Sequence, residues 1–245
     1  MPFWDGAITH ILAPLPRGLE TLELSAHPDT RVHPILGQLP QCLRVLNLQH
    51  VAAFNSALGP LPPSLTSLSL GPRFTQPLGE LPRGLTALTL GTVFPEHHFS
   101  HYDHPLGRLP CALRVLDLEI CDNFNHPLGC LPATLRKLLL GWTYNHPLQT
   151  LPPALEVLVL GHDFQQELQP HLPDTLRVFR MGECFNAPVM LPAALEDLRI
   201  GDSYTHLLDL RPSLRHVYVG LSYPRPLPPL PQTFVSDVLL FRVVD

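Results

Sequence analysis

The sequence predicts a mainly β solenoid, in which short coils stack along a continuous parallel sheet. Three observations support this prediction. A Leu-Pro dipeptide recurs along the chain at intervals of 19 to 28 residues. Each copy is followed by leucines in the spacing LxxLxL, and a glycine and an aromatic residue usually come next. Since one coil is too small to bury its own leucines, neighbouring coils must stack to cover them.

The strand of each coil is predicted at the LxxLxL stretch. Its last two leucines, such as Leu138 and Leu140, are two residues apart and therefore point to the same side of the sheet. Glycine after the strand, as at Gly141, favours the bend that turns the chain out of the sheet. Proline fixes φ and lacks an N–H, so the return arm is predicted to be extended or irregular. Aromatic side chains are expected to fill the space under these arms: Phe54, Phe74, Tyr102, Phe124, Tyr144, Phe164, Phe185 and Tyr204.

The composition sets the limits on the class of protein. Of the 245 residues 45% are hydrophobic and 15% are charged, so the chain can bury a core despite its 30 prolines. A net charge of −5 gives no general attraction to nucleic acid or to anionic membranes. The five cysteines form no CxxC pair, and the amino terminus lacks the features of a signal peptide. We therefore expect a cytoplasmic protein that binds neither nucleic acid nor membrane.

The domain organisation is predicted as a single repeat solenoid over residues 1–245, with about eleven coils. Residues 1–14 fit a partial first coil, and residues 91–105 form an insertion loop that accounts for the longest interval. Residues 222–245 break the spacing and fit a degenerate final coil or cap. Exposed ends of such a solenoid would allow self-association.

The phrase "FNHPLGCLPATLRKLLLG" at residues 124–141 returns as "YNHPLQTLPPALEVLVLG" at residues 144–161. It resembles the FNIP repeat of the leucine-rich repeat superfamily, which is named for its Phe-Asn-x-Pro segment. The resemblance implies a leucine-rich-repeat-like solenoid with its sheet on the concave face, and no catalytic activity. It also implies that the asparagines bond to the backbone of a neighbouring coil: Asn55, Asn125, Asn145 and Asn186.

Catalytic signatures are absent from the sequence. It contains no GxSxG, GxxxxGK[ST], GxGxxG or HExxH motif, and its acidic residues occur without an obvious acid and base pair. We therefore expect that the chain is not an enzyme and that it needs no cofactor.

The residue between the two inward leucines of each strand faces the open, concave side of the sheet. Along the chain this column changes from polar and acidic to apolar and then to basic and aromatic. An apolar patch bordered by arginines is typical of a protein-binding hot spot, so we predict a scaffold for a protein or peptide partner. The alternative is that these residues occur there only because they favour β-strands, with no role in binding. The predicted contact residues are Leu139, Val157, Val159, Trp142, Arg180, Arg199 and Tyr218.

A histidine column supports a different hypothesis. His104, His126 and His146 occupy the x position of three successive coils, which are expected to stack about 4.8 Å apart. Such a ladder could hold zinc or nickel, or respond to pH near 6.5. Gln76 and Gln166 occupy the same position elsewhere, which favours a polar column facing solvent. A third hypothesis is that the chain is a structural repeat segment of a larger protein.

A charged column follows the first leucine of each LxxLxL stretch. From Arg136 onward its signs alternate through Glu156, Arg177 and Glu196. This alternation predicts ion pairs between adjacent coils, each of which contributes little stability at a solvated edge.

Overall fold

A computed structural model describes residues 8–11, 14–25, 32–51, 53–91, 100–168, 171–220 and 222–224. Within these ranges the regular structure consists of strands, and no helix is present that could cross a membrane. The strands are β1 (Ile8–Ile11), β2 (Thr21–Ser25), β3 (Val32–Ile35), β4 (Val45–His50), β5 (Ser67–Leu70), β6 (Ala87–Leu90), β7 (Val115–Asp117), β8 (Lys137–Leu139), β9 (Val157–Val159), β10 (Val178–Arg180), β11 (Asp197–Ile200) and β12 (His216–Val219).

Ten of these strands form one parallel sheet in the order β12-β11-β10-β9-β8-β7-β6-β5-β4-β2. Their central residues pair in register, as Leu116 with Leu138 and Leu138 with Leu158. Since each strand in this series lies beside the next, the segment between them completes one coil. The predicted parallel-sheet solenoid with irregular return arms is therefore confirmed.

The core lies on one side of this sheet. Leu135, Leu138 and Leu140 are buried, as are their equivalents in the neighbouring coils, while the residues between them are at least partly exposed in most strands. The predicted aromatic column is buried beneath the return arms and forms a continuous ladder. From Phe54 to Tyr204, its successive ring centroids lie 5.9 to 6.3 Å apart. The inward leucines and the ladder together form one hydrophobic core.

The glycines after the strands allow the coils to approach each other closely. A Cβ atom on Gly161 would lie 1.8 Å from the carbonyl oxygen of Gly141, and one on Gly182 would lie 1.8 Å from that of Gly161. Neither residue has a positive φ. Glycine is therefore required at these two positions by backbone contact between coils, which is a different reason from the bend that the sequence suggests.

The two coils nearest the amino terminus differ from the rest. Their arms form a separate parallel pair in which β1 lies beside β3, with Ile8 opposite Val32. Sequence analysis did not predict this second sheet. Much of the predicted partial first coil, the insertion loop and the terminal cap lies outside the described residues, so those boundaries stay predictions.

Candidate interaction surface

The open face is the side of the ten-stranded sheet opposite the leucine core. Its central column pairs in register across neighbouring strands, from Asp117 through Leu139 and Val159 to Arg180. Arg199 and Tyr218 continue it across β11 and β12. The structure therefore aligns these side chains as the sequence predicts, while their role in binding stays a prediction.

The apolar part of the open face is smaller than the sequence suggests. Leu139 and Val157 are half-buried, whereas Val159 is only 8% exposed although it lies outside the leucine core. Val159 is the shorter side chain between Leu139 and Arg180 in the adjacent strands, and these larger neighbours flank it on both sides. The expectation that Val159 is exposed is therefore corrected: it lies in the central column of the open face but is covered there, and its role in binding stays a prediction.

Trp142 follows β8 at the corner of its coil and is 51% exposed. Its ring stacks on the imidazole of His162 in the next coil, with the centroids 4.2 Å apart and an interplanar angle of 6°. This contact fixes the indole in place while one of its sides stays open to solvent. A rigid, half-exposed tryptophan is a suitable anchor for a partner.

The two arginines of the column have acidic neighbours within the chain. The Nη2 of Arg199 donates to Oε1 of Glu183 at 2.7 Å, and the Nε of Arg180 lies 3.8 Å from Oδ1 of Asp197. Both side chains are almost half exposed. They therefore present positive charge at the edge of the apolar surface, but that charge is partly neutralised.

The acidic edge of the surface contains a residue that sequence analysis missed. Glu119 and Ile120 are two extra residues after Leu118, and the backbone N–H of Glu119 donates to Oδ1 of Asp117 at 3.1 Å. Burial raises the pKa of Asp117 above its usual value. Burial and the charge of Asp117 also raise the pKa of Glu119, and the two arginines of the column partly offset this. The 22-residue interval that ends at Leu131 was the available signal for this insertion.

The histidine column joins one coil to the preceding coil. The Nε2 atoms of His104 and His146 donate to the carbonyl oxygens of Thr75 and Asn125, at 2.8 and 2.9 Å. His126 makes the equivalent bond to Asp103 at 3.2 Å. Because a carbonyl oxygen only accepts, each Nε2 carries the proton, and Nδ1 is the nitrogen left for a metal. In two coils glutamine replaces histidine and donates instead to the neighbouring asparagine: Gln76 to Asn55 and Gln166 to Asn145.

The asparagines make the backbone contacts that the resemblance implies. Oδ1 of Asn125 accepts from the N–H of Asn145 at 3.0 Å, and Oδ1 of Asn145 accepts from that of Gln165 at 3.0 Å. Asn55 and Asn186 do the same for Thr75 and Thr205. The prediction for this column is therefore confirmed.

The ion pairs expected between coils are also present. Arg136 contacts Glu156, and Arg177 contacts Glu196. Their side chains are between one-third and two-thirds exposed, so each pair adds little to stability.

Comparison with known proteins found a repeat family and similar solved structures. The FNIP Repeat family matches residues 54–93 and 144–184. The solved structure of CroV588, described as a novel circular LRR protein, is 24% identical with a TM-score of 0.47; the match covers 86% of this chain and 38% of that one. YopM from Yersinia enterocolitica WA-314 is 23% identical with a TM-score of 0.46, over 85% of this chain and 52% of its own. The chain thus spans about half or less of either protein. A search of curated proteins found no match.

Proposed function

We propose that this chain, which contains FNIP repeats at residues 54–93 and 144–184 and folds as a parallel-sheet solenoid, is a non-catalytic scaffold for a protein or peptide partner. The partner lies on the open face of the sheet, which we take to be the concave face of a solenoid of about eleven coils. The proposed setting is the cytoplasm, where its cysteines stay reduced.

One observation carries this proposal. In the central column, Leu139 and Val159 lie between Asp117 and Arg180, and the half-buried Val157 lies between Lys137 and Val178 in the neighbouring column. Trp142 follows three residues after Leu139 and is 51% exposed. A small apolar centre with charged borders is the usual anatomy of a protein interface. This arrangement favours a partner segment in an extended conformation, with an apolar side chain that covers Leu139. On either side of that side chain, the partner would place a basic group toward Asp117 and an acidic group toward Arg180.

The neighbouring ion pairs affect selectivity more than affinity. An acidic group of the partner must compete with Glu183 for Arg199, so a single carboxylate gains little free energy there. Most of the binding energy is therefore assigned to burial of the apolar centre and to contact with Trp142. Loss of a central aromatic anchor of this kind costs about 2 kcal/mol or more.

The histidine-column hypothesis is less well supported than the scaffold. In His104, His126 and His146 the Nε2 atom already bonds to the preceding coil, and glutamine takes over that bonding role at Gln76 and Gln166. A bond between coils explains why both residue types occupy the column. We propose that this column stabilises the stack of coils.

A display library of random extended peptides tests the proposed surface without knowledge of the natural partner. Peptides that bind the native chain are measured against two variants that place the same charge at different leucines. Leu139→Asp alters the open face, whereas Leu207→Asp alters a return arm, where the side chain is 73% exposed. Circular dichroism first establishes that both variants are folded.

The proposal predicts that selected peptides lose at least about tenfold in affinity for Leu139→Asp and keep their affinity for Leu207→Asp. Peptides that bind both variants as well as the native chain would contradict the proposed surface. A library that yields no specific binder would favour the hypothesis of a structural repeat segment.

A further inference from the structure

Three potential ligand side chains meet at the corner that follows β9 and β10. His162 and Asp163 are consecutive residues in one coil, and Cys184 belongs to the next. One ligand atom from each lies within 4.8 Å of the other two, and all three side chains are half-buried. Among the described residues, this is the one group of three such side chains with that spacing.

Neighbouring contacts hold this corner cluster in place. The backbone N–H of Asp163 donates to the carbonyl oxygen of Trp142, and that of Cys184 donates to His162, both at 2.9 Å. The indole of Trp142 stacks on the imidazole of His162 and fixes the plane of that ring. Each ligand therefore lies on backbone that is bonded to an adjacent coil, which is the preorganisation that a metal site requires.

Both of the other side chains face the same nitrogen of His162. Its Nδ1 lies 2.7 Å from Oδ1 of Asp163 and 3.8 Å from Sγ of Cys184. A catalytic Cys-His-Asp arrangement needs the thiol and the carboxylate on opposite ring nitrogens, so that a proton can pass through the imidazole. Convergence on one nitrogen does not allow that relay, but it does suit three ligands around a common ion.

We propose that His162, Asp163 and Cys184 form a binding site for a thiophilic divalent transition metal ion, of which Zn²⁺ is the best fit. A thiolate with an imidazole and a carboxylate is a zinc donor set, whereas Mg²⁺ and Ca²⁺ require oxygen ligands. This site is separate from the histidine column and does not depend on the proposed scaffold function.

The distances match tetrahedral zinc after a small adjustment. With Zn–S about 2.3 Å and Zn–N about 2.1 Å, the sulfur and nitrogen are expected about 3.6 Å apart, close to the 3.8 Å between Cys184 and His162. The corresponding nitrogen-to-oxygen separation is about 3.4 Å, so the carboxylate of Asp163 must move away from its present 2.7 Å contact. Rotation of this half-exposed side chain provides that movement. The fourth position is left for water.

Metal binding at this site must release protons. The thiol of Cys184 becomes a thiolate, and the Nδ1 of His162 gives up any proton that it shares with Asp163. The affinity is therefore expected to fall as the pH decreases, and the metal is expected to stabilise the folded chain.

The test uses the full chain with Trp4→Phe, so that Trp142 is the single tryptophan, and with the exposed Cys42, Cys111 and Cys130 replaced by serine. Co²⁺ is added first as a spectroscopic probe, followed by Zn²⁺ as a competitor. The readouts are the thiolate-to-cobalt charge-transfer absorption and the fluorescence of Trp142. Circular dichroism establishes that every variant is folded.

The expected result is one Co²⁺ per chain, with a charge-transfer band, a change in Trp142 fluorescence and displacement by Zn²⁺. Cys184→Ser should abolish the band, and either Cys184→Ser or His162→Gln should weaken binding more than about 100-fold. The matched control His146→Gln should bind as the parent does. The proposal is overturned if the parent gives no charge-transfer band, if Cys184→Ser keeps it, or if His146→Gln abolishes binding.

Discussion

Replacing Gly161 with alanine tests the close stacking of coils that organises the whole molecule. The new Cβ would lie 1.8 Å from the carbonyl oxygen of Gly141 and 3.1 Å from that of Trp142. Because the first contact is with backbone, no side-chain rotation relieves it. The coil must move away from its neighbour, and hydrogen bonds between the two coils must lengthen.

The loss in the free energy of unfolding follows from this displacement of the coil. Overpacking a rigid interior costs about 1 to 3 kcal/mol. Two bonds between coils flank the site, Leu140 to Val159 at 3.0 Å and Asp163 to Trp142 at 2.9 Å. Each hydrogen bond contributes about 1 kcal/mol, so Gly161→Ala should lower the free energy of unfolding by about 3 to 5 kcal/mol.

The assay is denaturant unfolding followed by circular dichroism, with Gly84→Ala as the matched control. Gly84 occupies a turn where another coil has Ala154, and a Cβ there would lie 3.8 Å from the carbonyl oxygen of Pro63, at an ordinary contact distance. That substitution should be neutral or should stabilise the protein by up to about 1 kcal/mol. If Gly161→Ala is as stable as Gly84→Ala, the coils do not stack as closely as described.

Three further predictions concern single columns. Burial raises the pKa of Tyr144 to about 12, although the nearby backbone of Leu128 opposes this rise. Its hydroxyl makes no hydrogen bond of normal geometry among the described residues, so Tyr144→Phe should raise the free energy of unfolding by about 1 kcal/mol. Asn145→Ala should lower it by about 1 kcal/mol in the same assay, because the N–H of Gln165 loses its acceptor. Burial raises the pKa of Asp117, so its protonated carboxyl favours the folded state, and this contribution to stability is lost as the pH rises through the raised pKa. Asp117→Asn should therefore raise the free energy of unfolding at neutral pH and change it little below pH 3.8. Asn47 already makes the equivalent hydrogen bond in another coil, so the amide should keep it. An unchanged Tyr144→Phe or Asn145→Ala variant, or a loss of stability in Asp117→Asn at neutral pH, would contradict these assignments.

The repeating part of the fold was predictable because each coil has the same packing problem. The spacing of leucines identified the strands and their register, and the Asn145 contact recurs wherever the aromatic residue is followed by asparagine. Residues that repeat at a fixed offset form columns, so their neighbours can be inferred from the sequence.

Features that change from coil to coil were not predictable in this way. The burial of Val159 depends on the size of the side chains beside it, and the partners of Arg199 lie in a different column. The corner cluster around His162 was missed because the residues after the glycine share no type between coils. Reading the two positions after Gly161 and Gly182 together would have placed His162, Asp163 and Cys184 side by side.

Calorimetric titration of a selected peptide is the most direct test of the central claim, which is that the apolar centre of the open face binds a partner. The account predicts a negative heat-capacity change from burial of apolar surface at Leu139 and Trp142. It also predicts an affinity that falls at least about tenfold in Leu139→Asp and is unchanged in Leu207→Asp. A heat-capacity change near zero, or equal affinity for the native chain and Leu139→Asp, would contradict it.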